Sequence, residues 1–244
     1  SSPFSAVSDR LLIGHAALER LAEPGEVVAG LKPRLGTGAT IAWNGLIYTP
    51  QELAAVLLAH IKEEAEAALG EPVGRAVLTV PAAFGQRALA DLCAAARLAG
   101  VMVLRTVHST VAAALAYSLA HPAVAPCTLL VCDVGATSAE VAVIRLFPGA
   151  LTALGLAGEG WLGGDDLTEH VVAFLLRRVE AEWGVSLAEN PHARAQIRRA
   201  AERARVALSI VEEATISLSA PDLGVAVQVR EVLTRSQLEE MVQH

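Results

Sequence analysis

Val131-Cys-Asp-Val-Gly-Ala-Thr-Ser-Ala-Glu140 is the stretch on which the reading of this chain turns. An apolar run from Thr128 to Cys132 leads into an Asp-x-Gly turn, the pattern of a strand, turn and strand whose backbone N–H groups approach phosphate oxygens. In a complete loop of this kind small residues admit the phosphate, a carboxylate holds a hydrated metal ion and hydroxyls finish the cradle. Asp133, Gly135, Thr137 and Ser138 supply such groups here, while Ala136 stands where a glycine would leave more room.

Outward from that turn, Thr128 to Asp133, Ala139 to Phe147 and Leu151 to Ala157 read as a strand meander, with Pro148-Gly149 as one of its turns. Upstream, Thr49-Pro50-Gln-Glu52 is a capping signal that opens a long helix to about Leu69, closed by Gly70. Arg75 to Pro81 reads as a buried strand, Gln86 to Leu98 as an alanine-rich helix, Met102 to Thr106 as a strand and Thr110 to Ala120 as a helix. Such a β-α-β-α series predicts a parallel or mixed sheet with helices on its faces. Ahead of it, Ser1 to Gly36 reads as short strands with a helix around Gly14 to Leu21, and Asn44-Gly45 predicts a hairpin turn. Past the meander come a helix from Asp165 to Glu182, a second opened by Asn190-Pro191 and running through Ser209, an edge hairpin of Ala214 to Ser219 with Val225 to Val229, and an amphipathic helix from Thr234. Pro122 and Pro126 punctuate the chain, so the expected division is a first lobe over 1–126 and a second over 127–244.

The composition narrows the class. With 244 residues, 53% of them hydrophobic and 18% charged, the chain can bury a substantial core. A net charge of −7 and the lack of any basic run argue against a nucleic-acid surface, which needs clustered Lys and Arg to neutralise phosphates. Cys93, Cys127 and Cys132 have no CxxC spacing, so neither a zinc site nor a disulfide framework is suggested, and a reducing, cytoplasmic compartment is the expectation. Apolar runs break before bilayer length, so no membrane association is expected. Because the chain opens on Ser1 and its last helix stops without a cap, it is expected to be a piece of something longer.

Several motifs then fall in one order: Leu31-Lys32-Pro-Arg-Leu-Gly36, Tyr48-Thr-Pro-Gln-Glu52, Leu78-Thr-Val-Pro81 with Phe84, Val111-Ala-Ala-Ala-Leu-Ala-Tyr117, Asp133-Val-Gly135, Leu162-Gly-Gly-Asp-Asp166, Glu202-Arg-Ala-Arg205 with Leu208-Ser209, and Leu233-Thr-Arg235. From about Ser2 to Met241 the chain resembles the nucleotide-binding domain of DnaK-type heat-shock chaperones. That resemblance implies an α/β chain with the actin-like ATPase (ribonuclease H-like) fold, two-lobed and here truncated at both ends, with a cleft facing Asp133 and Lys32. It implies ATP or ADP with magnesium as cofactor. Lys32 falls where the family keeps a lysine that orients the attacking water, a charge suited to the transition state. Asp133 falls on the carboxylate that holds magnesium through water; these two are the candidate catalytic residues. Gly135, Thr137 and Ser138 match the phosphate loop, and Gly163 with Gly164 the phosphate-contacting glycines, although a Gly-Gly pair alone is only a turn signal. Glu202, Arg205 and Ser209 match the adenosine-holding helix face, and their spacings of three, four and seven put them on one stripe.

The departures are as informative. Where the family carries Asn-Glu-Pro-Thr, with a glutamate that places metal-bound water, this chain reads His108-Ser109-Thr110-Val111. Losing an outer-shell partner of that kind costs about 10–100-fold in affinity or activity. The loop's second and third glycines are Ala136 and Thr137, and its following threonine and aspartate are Ser138 and Glu140. Nothing in Ser1 to Arg10 matches the family's opening Gly-x-Asp-x-Gly-Thr-Thr turn, and the glycine-rich adenosine loop is not matched either. The expectation is therefore a degenerate, chaperone-like module that binds or scaffolds, with weak or no ATP hydrolysis and either a nucleotide or no cofactor. A protein partner follows from it: a co-chaperone, a ribosome-associated factor or an assembly neighbour, as for the family's atypical ribosome-associated members. The alternative is an active ATP-dependent chaperone whose other segments lie outside this chain. A sugar or acetate kinase of the same superfamily shares the Asp-x-Gly turn, but Thr79-Val-Pro81 and Ala112 to Tyr117 do not favour it.

Overall fold

Asn44 and Gly45 both adopt left-handed backbone, with φ of 49° and 73°, which is what a two-residue hairpin turn demands and what this residue pair tolerates. They join β4 (Ile41–Trp43) to β5 (Leu46–Tyr48). The structure is a computed structural model that describes residues 4–7, 10–14, 17, 27–122, 124–160, 162–223 and 225–243. It divides into two compact units, one of Val28–Gly163 and one of Phe4–Val27 with Gly164–His244.

In the first unit, Lys32–Arg34 form a single 3-10 turn with Pro33 in its first positions. Thr49 then caps α1 (Pro50–Leu69): its hydroxyl accepts from the Glu52 N–H at 3.2 Å while the Glu52 carboxylate accepts from the Thr49 N–H at 2.8 Å. Gly70 ends the helix at φ 73°. β6 (Arg75–Val80), α2 (Gln86–Leu98) and β7 (Met102–His108) form a β-α-β unit whose strands pair in parallel, with Val80 opposite His108. α1 packs on α2. α3 (Ser109–Ala120) follows and covers the meander of β8 (Cys127–Val134), β9 (Ala139–Phe147) and β10 (Ala150–Glu159), in the order β10-β9-β8. Strict alternation along β9 buries Glu140, Ala142, Ile144 and Leu146 on one face, where the last three pack with Ala114 of α3. The predicted β-α-β-α series and meander are therefore present, the parallel pairing being a two-stranded one among the described residues.

In the second unit, β1 (Phe4–Val7) and β2 (Arg10–Ile13) make an antiparallel hairpin; the two-residue strand β3 (Val27–Val28) has Val27 in this unit and Val28 in the first. The helix expected over Gly14 to Leu21 lies largely outside the described residues. α4 (Gly164–Trp183) and α5 (Pro191–Ala207) pack together, and Asn190 caps α5 by accepting from the Ala193 N–H at 3.1 Å. Their apolar stripes, including Val171, Leu175, Ile197 and Ala201, build a core shared with β11 (Glu213–Leu218) and β12 (Val229–Thr234). A short helix, α6 (Ala220–Leu223), lies between these strands, and α7 (Arg235–Met241) follows under a second capping box of Thr234 and Gln237.

The edge hairpin differs from the expected Ala214 to Ser219 with Val225 to Val229 in its second strand. Val225 to Val229 does alternate toward the core, at Val227 and Val229, but the strand that pairs with β11 begins at Val229, opposite Leu218. Both segments satisfy the same alternation, so only tertiary pairing chooses between them. Among the described residues no helix is long and apolar enough to cross a membrane.

Candidate functional site

Two parallel strands leave their carboxyl ends on the same side, the place where open α/β sheets bind ligands. At the end of β6, Pro81 lines a cavity of about 700 Å³ whose walls lie within the first unit. Lys32 and Gly36 form one wall, Phe84 to Ala88 another, and Thr137, Ser138, Glu159 and Gly160 a third. Three local devices assemble it. Gly36 has φ +76° and lies so close to α2 that a Cβ there would sit 2.5 Å from the Ala88 nitrogen; its N–H donates to the Asp91 carboxylate at 2.8 Å. The turn carrying Lys32 is thereby fixed to α2. Glu140, buried on the inner face of β9, accepts from the Ala82 N–H at 3.1 Å and ties the β8–β9 hairpin to the end of β6. Gly163 lies against the loop itself, where a Cβ would meet the Ala136 carbonyl oxygen at 2.5 Å.

Lys32, Thr137 and Ser138 line this one cavity. Asp133 is exposed near the end of β8, directly across from Glu140, and does not line it. Gly135 donates its N–H to the Ser138 carbonyl at 2.8 Å and so closes the turn. In the second unit, a Cβ on Gly164 would come 3.3 Å from the Arg205 guanidinium, and Arg205 Nε donates to Thr168 Oγ1 at 3.0 Å. Arg205 therefore braces the start of α4. Glu202 is exposed on α5, and Ser209 falls just beyond the helix, its N–H bonded to the Val206 carbonyl, so the predicted stripe loses its last helical member.

The position of the family's glutamate is the start of α3. Ser109 opens the helix, Thr110 is fully buried with no partner for its Oγ1, and the buried Nδ1 of His108 has none either. Sequence reasoning did not single out Asp91 or Arg87, both on α2. Their four-residue spacing puts them on one helix face, but nothing in an alanine-rich helix marks that face as a wall.

The sequence profile of the family described as Hsp70 protein matches residues 26–244. This chain belongs to the Hsp70 family. It is 34% identical over 248 residues to "Chaperone protein DnaK" of Mycoplasmopsis agalactiae, covering 100% of this chain and 41% of that protein. It is 32% identical over 247 residues to "Chaperone protein DnaK" of Mycoplasma mobile, with the same two coverages. The chain thus spans about two fifths of the length of these curated relatives. As an Hsp70 nucleotide-binding domain it has the actin-like ATPase fold, seen here as a mixed α/β chain with several small sheets.

The family implies a nucleotide with magnesium, and the residues fit its two parts unequally. Thr137 and Ser138 are buried residues that line the cavity beside Lys32, and hydroxyls beside a lysine suit phosphate oxygens. For the metal the fit is poor. Among the described residues no three of His, Cys, Asp and Glu come together, Asp133 is off the cavity wall, and Ser109 offers no charge.

Proposed function

We propose that this chain is an Hsp70-type domain that holds ATP or ADP by its phosphates and serves as a binding or scaffold module in protein folding or a larger assembly, with weak or no hydrolysis. The observation that carries this reading is the split of the site: Lys32, Thr137 and Ser138 share the cavity, whereas Asp133 does not line it and Ser109 stands where the family carries the water-placing glutamate. Binding needs the first set; hydrolysis also needs the second. Lys32 keeps its family assignment within this reading, as do Gly135, Gly163, Gly164, Glu202, Arg205 and Ser209 toward nucleotide, whereas the magnesium role of Asp133 belongs to the alternative of an active chaperone. Lobes over 1–126 and 127–244 and a cytoplasmic location belong to it too. A protein partner is supported by Leu130 and Val134, large apolar residues exposed on the edge strand β8.

The test is calorimetry of the complete protein with ATP and ADP, with and without magnesium, alongside steady-state hydrolysis. Nucleotide binding with turnover far below that of active chaperones is the expected result. Chaperone-like turnover that Lys32→Ala abolishes would overturn the scaffold reading in favour of the second one, an active ATP-dependent chaperone, which the placement of Lys32 in the cavity favours. Absence of any heat at millimolar nucleotide would remove the nucleotide from the proposal.

A further inference from the structure

The start of α3 holds two polar atoms that the chain itself leaves unanswered. Thr110, the second residue of the helix, is 0% exposed, and its Oγ1 meets no hydrogen-bond partner among the described residues. His108, in the capping position before the helix, is half-buried, and its buried Nδ1 has no partner either. A capping side chain ordinarily accepts from the N–H of the second or third helical residue, here Thr110 or Val111, but His108 makes no such bond. The first turn therefore has N–H groups with no acceptor inside the helix, and no carboxylate stands beside them. Helical side chains lean toward the N-terminus, so the Thr110 hydroxyl lies over the same turn. Buried polar atoms without a hydrogen bond are rare in folded proteins, and two at one helix start point to a shared ligand. Its chemistry follows from the groups that meet it. Backbone N–H groups only donate, a neutral imidazole nitrogen accepts, and a hydroxyl does either, so the ligand must both accept and donate. An anion is disfavoured: α3 carries no cationic side chain, and the sheet face that packs against α3 also buries the carboxylate of Glu140.

We propose that the start of α3 binds one internal water molecule, which accepts from a first-turn N–H and donates to His108 Nδ1 and Thr110 Oγ1. These are about three hydrogen bonds, the usual number for a buried water. Because Nδ1 then accepts, the neutral ring of His108 carries its proton on Nε2. The water bridges the last residue of β7 to α3, beside the position where the family carries its glutamate, and it is independent of any nucleotide.

The test joins a crystal structure of the complete protein, at a resolution that shows ordered solvent, to nitrogen NMR of the imidazole rings and urea unfolding of wild type, Thr110→Val and Thr110→Ser. The expected structure has a solvent peak within about 3.2 Å of both His108 Nδ1 and Thr110 Oγ1. The spectra should show Nδ1 of the neutral His108 ring without a proton. Thr110→Val should lower the urea midpoint, because the water loses one of its partners, whereas Thr110→Ser keeps the hydroxyl and should keep the solvent peak. A hydroxyl with no ligand gives the opposite sign: valine fills the same shape without an unmet hydrogen bond, and the midpoint rises. That rise, a proton on Nδ1 of the neutral ring, an anion in place of the water, or density in which either atom bonds directly to another protein group overturns the site. Should Thr110→Val fail to fold, the wild-type solvent peak and the imidazole spectra decide.

Discussion

Gly163→Ala tests whether the phosphate turn really rests on the chain behind it. A methyl group at this position would lie 2.5 Å from the Ala136 carbonyl oxygen, 2.7 Å from its carbon and 2.8 Å from the Gly135 oxygen. Against a normal carbon–carbon contact of about 3.5 Å, the 2.7 Å approach is short by about 0.8 Å. All three obstructing atoms are backbone, so no side-chain rotation relieves the overlap; the turn or the strand end must move. Overpacking on this scale costs about 1–3 kcal/mol. The neighbouring Gly164→Ala is the matched control. Its added carbon would meet the Arg205 guanidinium at 3.3 Å, the tip of a flexible side chain, and its cost should stay within about 0.5 kcal/mol. Urea unfolding of the two variants beside wild type reads the difference in stability, and nucleotide titration of Gly163→Ala beside wild type reads the displaced turn as weaker binding. Coincident urea midpoints and equal nucleotide affinities for wild type and Gly163→Ala would refute the close approach, and with it the role assigned to this glycine.

Two further outcomes follow from packing and capping. Ile144 is fully buried between α3 and the meander, so Ile144→Ala should lower unfolding free energy by about 2–5 kcal/mol, measurable by chemical denaturation. Thr49→Ala removes one half of the capping box and should cost about 1 kcal/mol by the same measurement. The acid limb of stability carries a signature of its own. The Thr49 N–H, then its hydroxyl, hold the Glu52 carboxyl below its ordinary value of 4.5, and the Val73 N–H, then Lys62, do the same for Glu66. A carboxyl lowered in the folded state contributes stability above pH 4.5 that is lost as pH falls through its folded value. The Glu52→Gln, Glu66→Gln double variant should therefore show a flatter loss of thermal stability below pH 4.5 than wild type.

What the sequence announces is whatever a few neighbouring residues decide. Thr49 with Glu52 writes its own helix start, Asn44-Gly45 its own turn, and β9 its own buried face, because capping, left-handed backbone and a period of two are local. β12 was misread because two successive segments alternate equally well and the choice belongs to Leu218, a residue eleven positions before Val229. The site divides along the same line. Lys32, Thr137 and Ser138 sit in motifs and are legible; Asp133 sits in one too, yet its motif says nothing of its distance from the cavity.

Arg87 and Asp91 have no motif, since their meaning depends on Gly36, 55 residues from Asp91 along the chain. That contact has a consequence for the site as a whole. Gly36 approaches the Ala88 nitrogen at a distance no side chain would allow, and its N–H is held by Asp91, so the turn bearing Lys32 is docked onto the same first turns of α2 that bear Arg87. One glycine-to-helix contact therefore sets both cations around one cavity. A residue larger than glycine at position 36 would have to shift the Lys32 turn away from α2, and would separate the cation that the sequence reveals from the one that only the fold does.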